Sequence, residues 1–166
     1  MDAPNANSGM AESGGGGAFV VRPAALEDLA AIRALEIENP SAAHWPESAY
    51  LEIFSSGAPA RIALVLEDES GSTCGFAIAR LAGGDCELEN IAVAPGSQRR
   101  GLGTLLLRSL TAAARLRRAQ SVFLEVRDSN AAARALYEGC GFSVTGHRAG
   151  YYSGPAEAAV LYGISL

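Results

Sequence analysis

The run from Val93 to Leu110, VAPGSQRRGLGTLLLRSL, gathers the groups that hold an anion. An apolar stretch ends at Val93, a loop with Pro95 and Gly96 follows, and Arg99, Arg100, Gly101 and Gly103 lead into a helical pattern. The start of a helix carries N–H groups without intrahelical partners and a partial positive charge. Gly101 and Gly103 lack Cβ atoms, so a ligand can approach the main chain, and two guanidinium groups add charge nearby. This chemistry predicts a phosphate or pyrophosphate on the main chain at residues 99–104. A dinucleotide-binding fingerprint does not fit: Leu106 occupies the third glycine position, and the glycines stand several residues beyond the strand. Taken alone, the run also fits a loop that does no more than turn into a helix.

A second chemical feature is Glu125 inside the apolar run VFLEV. A carboxylate there is costly unless paired or wet, and alternation puts it on the face of Phe123. Arg127 is the obvious candidate for a purely structural ion pair. Composition removes several other chemistries. All 13 basic residues are arginines, so neither a Walker-type phosphate loop nor a Schiff-base site can be built, since both need lysine. Cys74, Cys86 and Cys140 are far apart, with no CxxC, and His44 and His147 lie far from them. Small buried hydrophobes are the expected role of these cysteines, and no metal site or disulfide framework is expected. The net charge of −5 weighs against a general nucleic-acid binder.

The elements that must position these groups follow from periodicity. Phe19–Arg22 reads as a strand, Pro23 opens a helix that ends at Asn39-Pro40, and a second helix starts near Pro46. Arg61–Glu67, Thr73–Leu81 and Cys86–Val93 read as an antiparallel meander. The helix after the glycine loop places Leu102, Leu105, Leu106, Leu110, Ala113 and Leu116 on one face. Val122–Val126 is a strand, Asn130–Glu138 a short helix, and Phe142–Arg148 and Ala158–Leu166 the last two strands. The order predicts one mixed α/β (α+β) domain at 18–166, with the pair Cys86–Val93 and Val122–Val126 parallel. The polar, glycine-rich residues 1–17 predict a disordered tail. No apolar run is long enough to span a bilayer and the N-terminus has no signal-peptide pattern, so no membrane association and a cytoplasmic location are expected.

The stretch NIAVAPGSQRRGLGTLLL, followed by LEVRDSNAAARALYEGCGF, resembles the acyl-CoA-binding core of the GNAT superfamily of N-acetyltransferases. Gln98 to Gly103 match its Q/R-x-x-G-x-G signature, and Asn130, Leu136, Tyr137, Gly141 and Phe142 match a second signature downstream. Together with Tyr151-Tyr152, the pattern is similar to the bacterial ribosomal-protein-alanine N-acetyltransferase (RimI) branch. The resemblance implies a mostly antiparallel sheet of about six to seven strands with helices on both faces. It also implies a splayed parallel strand pair that binds acetyl-CoA.

For individual residues, the resemblance implies the pyrophosphate on Arg99, Arg100, Gly101, Leu102, Gly103 and Thr104. It puts the pantetheine arm along Ile91, Ala92 and Val93, with an N–H near Val93 polarising the thioester carbonyl. Asn130 would bond the cofactor arm; a helix N-cap is an equally good use of that side chain. Glu125 would be the general base and Tyr137 the group that meets the thiolate, against the plainer roles of ion pair and core aromatic. Glu89 is the runner-up base at the acceptor end, a position where the branch carries no acid. Tyr151 and Tyr152 would grip the acceptor peptide, or form a hairpin-loop cluster. Where the branch has an acid just before the last strand's apolar run, Ala158 stands beside Glu157, and Trp45 resembles a tryptophan of the first helical hairpin. The implied reaction is direct acetyl transfer from acetyl-CoA to a protein N-terminal α-amine, that of a ribosomal protein in the branch, without a metal. The alternatives are a small amine or lysine acceptor, a ping-pong route through Cys140, and an acyl-CoA-binding module without turnover.

Overall fold

The protein is described from a computed structural model covering residues 11–12, 18–55 and 60–166. Its strands are β1 (Ala11–Glu12), β2 (Phe19–Pro23), β3 (Arg61–Glu67), β4 (Thr73–Ala82), β5 (Asp85–Val93), β6 (Ser121–Arg127), β7 (Ser143–Ser153) and β8 (Ala156–Ser165). They form one sheet in the order β1-β2-β3-β4-β5-β6-β8-β7. The helices are α1 (Leu29–Glu38), α2 (Glu47–Ile53), α3 (Leu102–Leu116) and α4 (Ala131–Gly139). Every neighbouring strand pair is antiparallel except β5–β6. Of the tail expected at 1–17, Ala11–Glu12 pair with Phe19–Val20, and the rest lies outside the described residues.

Two cores sit on opposite faces of the sheet. Ile32 and Leu35 of α1 and Tyr50 of α2 pack on Val65, Phe76, Ile78 and Ala92. On the other face, α3 and α4 cover Leu66, Cys74, Cys86, Leu88, Leu124 and Val126. The α3 stripe differs from the expected one: Leu107 is fully buried, whereas Leu116, in the last turn, is 85% exposed. Ala114 is still fully buried, so the covered surface of α3 runs into its last turn and ends before Leu116.

Strand β5 changes faces partway along. Leu88 pairs with Ala79 and Asn90 with Ile78, which leaves Glu89 as a one-residue bulge. An extra residue inverts the alternation that follows it. Cys86 and Leu88 therefore point at α3, whereas Asn90 and Ala92 point at α1. The parallel pairing of β5 with β6 covers only Asp85–Glu87 against Ser121–Phe123. Beyond it the two strands part, and the gap passes through the sheet. Among the described residues, no helix is long and apolar enough to cross a membrane.

Candidate functional site

A cleft of about 910 Å³ occupies the gap between β5 and β6. Its wall on one side is the β5 segment Ile91–Val93, on the other the β6 segment Leu124–Arg127. Ala94 N–H donates to Cys74 O on β4 at 2.8 Å. Alternation then turns the N–H and C=O groups of Ile91 and Val93 away from β4, into the gap. Gln98 Nε2 donates to Val93 O on that side at 3.0 Å, which leaves the Val93 N–H as the donor facing the cleft.

At the α3 face, Gly101 through Thr104 line the cleft. Gly101 is the N-cap residue in left-handed backbone, φ 77°, and no side chain caps the helix. The first intrahelical bond is Leu105 N–H to Gly101 O at 3.0 Å, so the N–H groups of Leu102, Gly103 and Thr104 precede the ladder. Arg99, also at positive φ, lines the same corner. Left-handed residues alternating with right-handed ones turn successive N–H groups to one side, an anion nest. The two glycines differ in role. A Cβ on Gly101 would meet nothing within 4 Å, and the residue is needed for its φ. A Cβ on Gly103 would stand 3.2 Å from Leu136 Cδ2, so this glycine lets α4 pack against α3 rather than making room for a ligand. Arg100 does not line the cleft; its guanidinium lies 4.9 Å from the Phe19 ring centroid.

Helix α4 closes the same end. Asn130 is its N-cap, with Oδ1 accepting from Ala133 N–H at 3.1 Å, and it also lines the cleft. The cap uses the oxygen, which leaves the amide nitrogen as the donor for a second partner. Tyr137 reaches the cleft from the core and is only 5% exposed, its ring against Phe142 and Tyr162. Burial holds its phenol well above the ordinary tyrosine pKa. Cys140 is the α4 C-cap residue and is not among the cleft-lining residues. Burial pushes the Cys86 thiol up to about 11.

The α1 face of the cleft carries the carboxylates. Glu125 shares its strand face with the half-exposed Phe123, opposite to the core residues Leu124 and Val126. Its ion-pair partner is Arg148 of β7, 2.9 Å away, and not Arg127. The same carboxylate stands beside the Tyr151 hydroxyl and raises the phenol's pKa. Glu89, the bulge residue, also lines the cleft, but Arg61 Nε holds its Oε2 at 2.8 Å and Arg80 Nε lies 3.7 Å from its Oε1. Two guanidinium groups thus stand against Glu89, where Arg148 stands against Glu125.

Tyr152 lines the cleft, whereas Tyr151 stands beside it, edge-on to Tyr152 and half exposed. Arg127 fixes Tyr152, with its guanidinium 4.2 Å from that ring centroid. The same group bonds Gly154 O, Pro155 O and Glu157, which ties the β7–β8 turn to the end of β6. Glu157 also accepts the Ser129 N–H. This tie was missed from the sequence, although an arginine ending an apolar strand near an isolated acid was a usable signal. A second omission is the segment between α1 and α2: Asn39 to His44 line the cleft on the α1 side. Among the described residues, no cluster of His, Cys, Asp or Glu could hold a metal ion.

Known proteins share this arrangement. The "[Ribosomal protein bS18]-alanine N-acetyltransferase" of Escherichia coli (strain K12) is 44% identical over 84 residues, 51% of this chain. That match takes in 57% of the relative's own length, so the chain spans just over half of the curated relatives it matches. The crystal structure of the ribosomal-protein-S18-alanine N-acetyltransferase from Escherichia coli superposes with a TM-score of 0.78 at 31% identity, over 89% of this chain and 93% of that one. Ard1 from Thermoplasma volcanium has the same fold, with a TM-score of 0.77 at 21% identity over 89% of this chain and 97% of that one. The profile described as "Acetyltransferase (GNAT) family" matches residues 29–142, from α1 through the split strand pair and the glycine loop to the end of α4. With the amide nest, the parted strands and the match running through all of them, the chain belongs to the acetyltransferase (GNAT) family.

Proposed function

We propose that this protein transfers acetyl from acetyl-CoA to the N-terminal α-amine of a peptide or protein, a ribosomal protein being the acceptor that its relatives' names suggest. The observation that carries this reading is the cleft that passes through the sheet. It presents an uncapped amide nest at the α3 face and a carboxylate, Glu125, at the α1 face. A donor held from one side and an acceptor entering from the other would meet at Val93.

The residues fit a coenzyme A diphosphate: Leu102, Gly103 and Thr104 offer main-chain N–H groups, Arg99 adds charge, and Asn130 offers an amide to the arm. When bound, acetyl-CoA supplies an acetyl group already activated as a thioester. The amine nitrogen forms the new bond to the carbonyl carbon, the carbon–sulfur bond breaks, and the thiolate leaves with the electron pair. Val93 N–H is the donor for the carbonyl oxygen as negative charge develops there. Glu125 receives the amine's proton, directly or through a water. Tyr137 donates its hydroxyl hydrogen to the thiolate sulfur. Its raised pKa makes it a hydrogen-bond donor first and a proton source late.

Magnitudes favour an α-amine. With a pKa near 8, roughly a tenth of it is neutral at pH 7, and the base must offset only about 1 kcal/mol. A lysine amine near 10.4 demands about 4–5 kcal/mol, a poor match for one carboxylate already paired with arginine. Holding both substrates in the cleft provides most of the acceleration. The position of Cys140 outside the cleft supports direct transfer over an acetyl-cysteine route. We assign the protein to the cytoplasm, where such acceptors are made.

The test is a thiol-release assay with acetyl-CoA against N-terminal peptides, lysine peptides and polyamines. Release is expected with N-terminal peptides whose first residue is small. Release confined to lysine peptides or polyamines overturns the acceptor, and binding of coenzyme A without release to any acceptor overturns the enzyme.

A further inference from the structure

A buried polar cluster runs from the cleft wall, where Asn90 lines it, into the core under α1 and α2. Asn90, 4% exposed on β5, pairs with the Ala43 main chain in both directions. Its Oδ1 accepts the Ala43 N–H at 3.2 Å and its Nδ2 donates to Ala43 O at 2.9 Å, as a neighbouring strand would. The same Nδ2 donates to Tyr50 Oη at 3.2 Å. Tyr50, fully buried, donates to Glu36 Oε1 at 2.7 Å, and that oxygen also accepts the Trp45 N–H at 2.7 Å. A carboxylate as buried as Glu36, 4% exposed, is tolerated only with such donors. Further along, Gln98 Nε2 bonds Asn39 Oδ1 at 3.1 Å, and Asn39 Nδ2 bonds Leu35 O at 2.7 Å.

Ala43, Trp45 and Asn39 each take part in such a bond, so the cluster fixes the segment between α1 and α2, whose residues Asn39 to His44 line the α1 side of the cleft. The segment is not helical from Asn39 to Pro46; its main chain closes one turn, Ala42 N–H to Asn39 O at 2.9 Å, and Asn90 and Glu36 hold Ala43 and Trp45 beyond it. Alternation would point a residue at position 90 to the α3 side; the bulge at Glu89 turns it to α1 instead. The bulge thus brings Asn90 to the segment.

We propose that Asn90 is a positioning residue for the acceptor. Backed by Tyr50 and Glu36, it holds the Asn39–Trp45 segment as the fixed acceptor-side wall of the cleft. It touches neither reacting group and acts through Ala43. This rests on the reading of the α1 side as the acceptor's entrance.

The test compares wild type, Asn90→Ala and Tyr50→Phe, the second being the milder change should the first fail to fold. Asn90→Ala should raise the KM for an N-terminal alanine peptide about tenfold or more, with kcat and acetyl-CoA affinity within about twofold. Tyr50→Phe should move the same constant in the same direction, by about two- to threefold. Hydrogen exchange should quicken at residues 40–46 in both variants and stay as it was at 99–105. Unchanged acceptor KM in both variants, unchanged exchange at 40–46, or a parallel fall of kcat and acetyl-CoA affinity overturns the proposal. Should the wild type acetylate no peptide at all, the proposed activity fails on that count. Hydrogen exchange at 40–46 then decides the positioning role by itself.

Discussion

Arg148 reaches across β8 to Glu125, with Nη1 2.9 Å from Oε1. The guanidinium also lies 5.4 Å from the Tyr151 ring centroid, and the same carboxylate raises the pKa of the Tyr151 phenol. The acid assigned as the base is therefore surrounded by a cation and a phenol, and an arriving ammonium must compete with Arg148. Glu125→Gln preserves the shape and removes the proton acceptor. Turnover should fall by at least about tenfold while acetyl-CoA still binds, read by steady-state kinetics and calorimetry. Arg148→Gln should change folding stability by less than about 1 kcal/mol in a denaturant titration, since more than half of that side chain is in solvent.

Tyr137→Phe should likewise lower turnover by about tenfold or more with acetyl-CoA binding retained. Burial raises the folded-state pKa of Tyr137 above its unfolded value near 10. Its contribution to stability is thus complete below about pH 10 and is lost only as pH rises through the folded value. The hydroxyl stays protonated through any ordinary assay range. An alkaline limb between about pH 8 and 9.5 should keep its midpoint in the variant, a comparison of two pH–rate profiles.

The two glycines of the nest should fail differently. Gly101→Ala meets no neighbour but strains the left-handed backbone, costing about 1 kcal/mol or more and tilting the N–H groups that receive the diphosphate. Coenzyme A affinity should drop in calorimetry. Gly103→Ala pushes on Leu136 and should lower the melting temperature by about 2–4 °C per kcal/mol of overpacking, with a smaller effect on affinity.

Away from the cleft, Arg22 grips the buried Asp28 with two bonds of 2.8 Å. That guanidinium holds the Asp28 carboxyl below the ordinary carboxylate range, against the opposing effect of burial. A lowered folded-state pKa gives stability that is present above about pH 4 and lost as pH falls through the folded value. Asp28→Asn should be less stable at pH 7 by about 1–3 kcal/mol, and the gap should narrow as pH drops from about 4 downward, read by urea titrations at several pH values.

The residues explain which parts of this were legible. RIALVLE and VFLEV announced β3 and β6 by apolar content, and the glycine loop announced the start of α3. Nothing in CELENIAV marks the bulge at Glu89, because a one-residue insertion leaves an alternating pattern looking regular while reversing its faces. Asn39-Pro40 was readable as a helix end. The return of the next residues to the cleft depends on Asn90 and Gln98, both more than 45 positions away, a relation no local pattern encodes. Arg148 meets Glu125 through a register shift between Arg148 and Tyr152 of β7, which is likewise tertiary.

The central claim is that donor and acceptor enter from opposite faces of the sheet and meet where β5 and β6 part. A crystal structure with a bisubstrate conjugate, coenzyme A joined through an acetyl bridge to the α-amine of an alanine peptide, tests it most directly. The account predicts the diphosphate on the Leu102–Thr104 amides, the bridge beside Val93, and the peptide leaving past Ala43 and Tyr152 on the α1 face. A diphosphate bound elsewhere, or a peptide leaving on the α3 face, would contradict it.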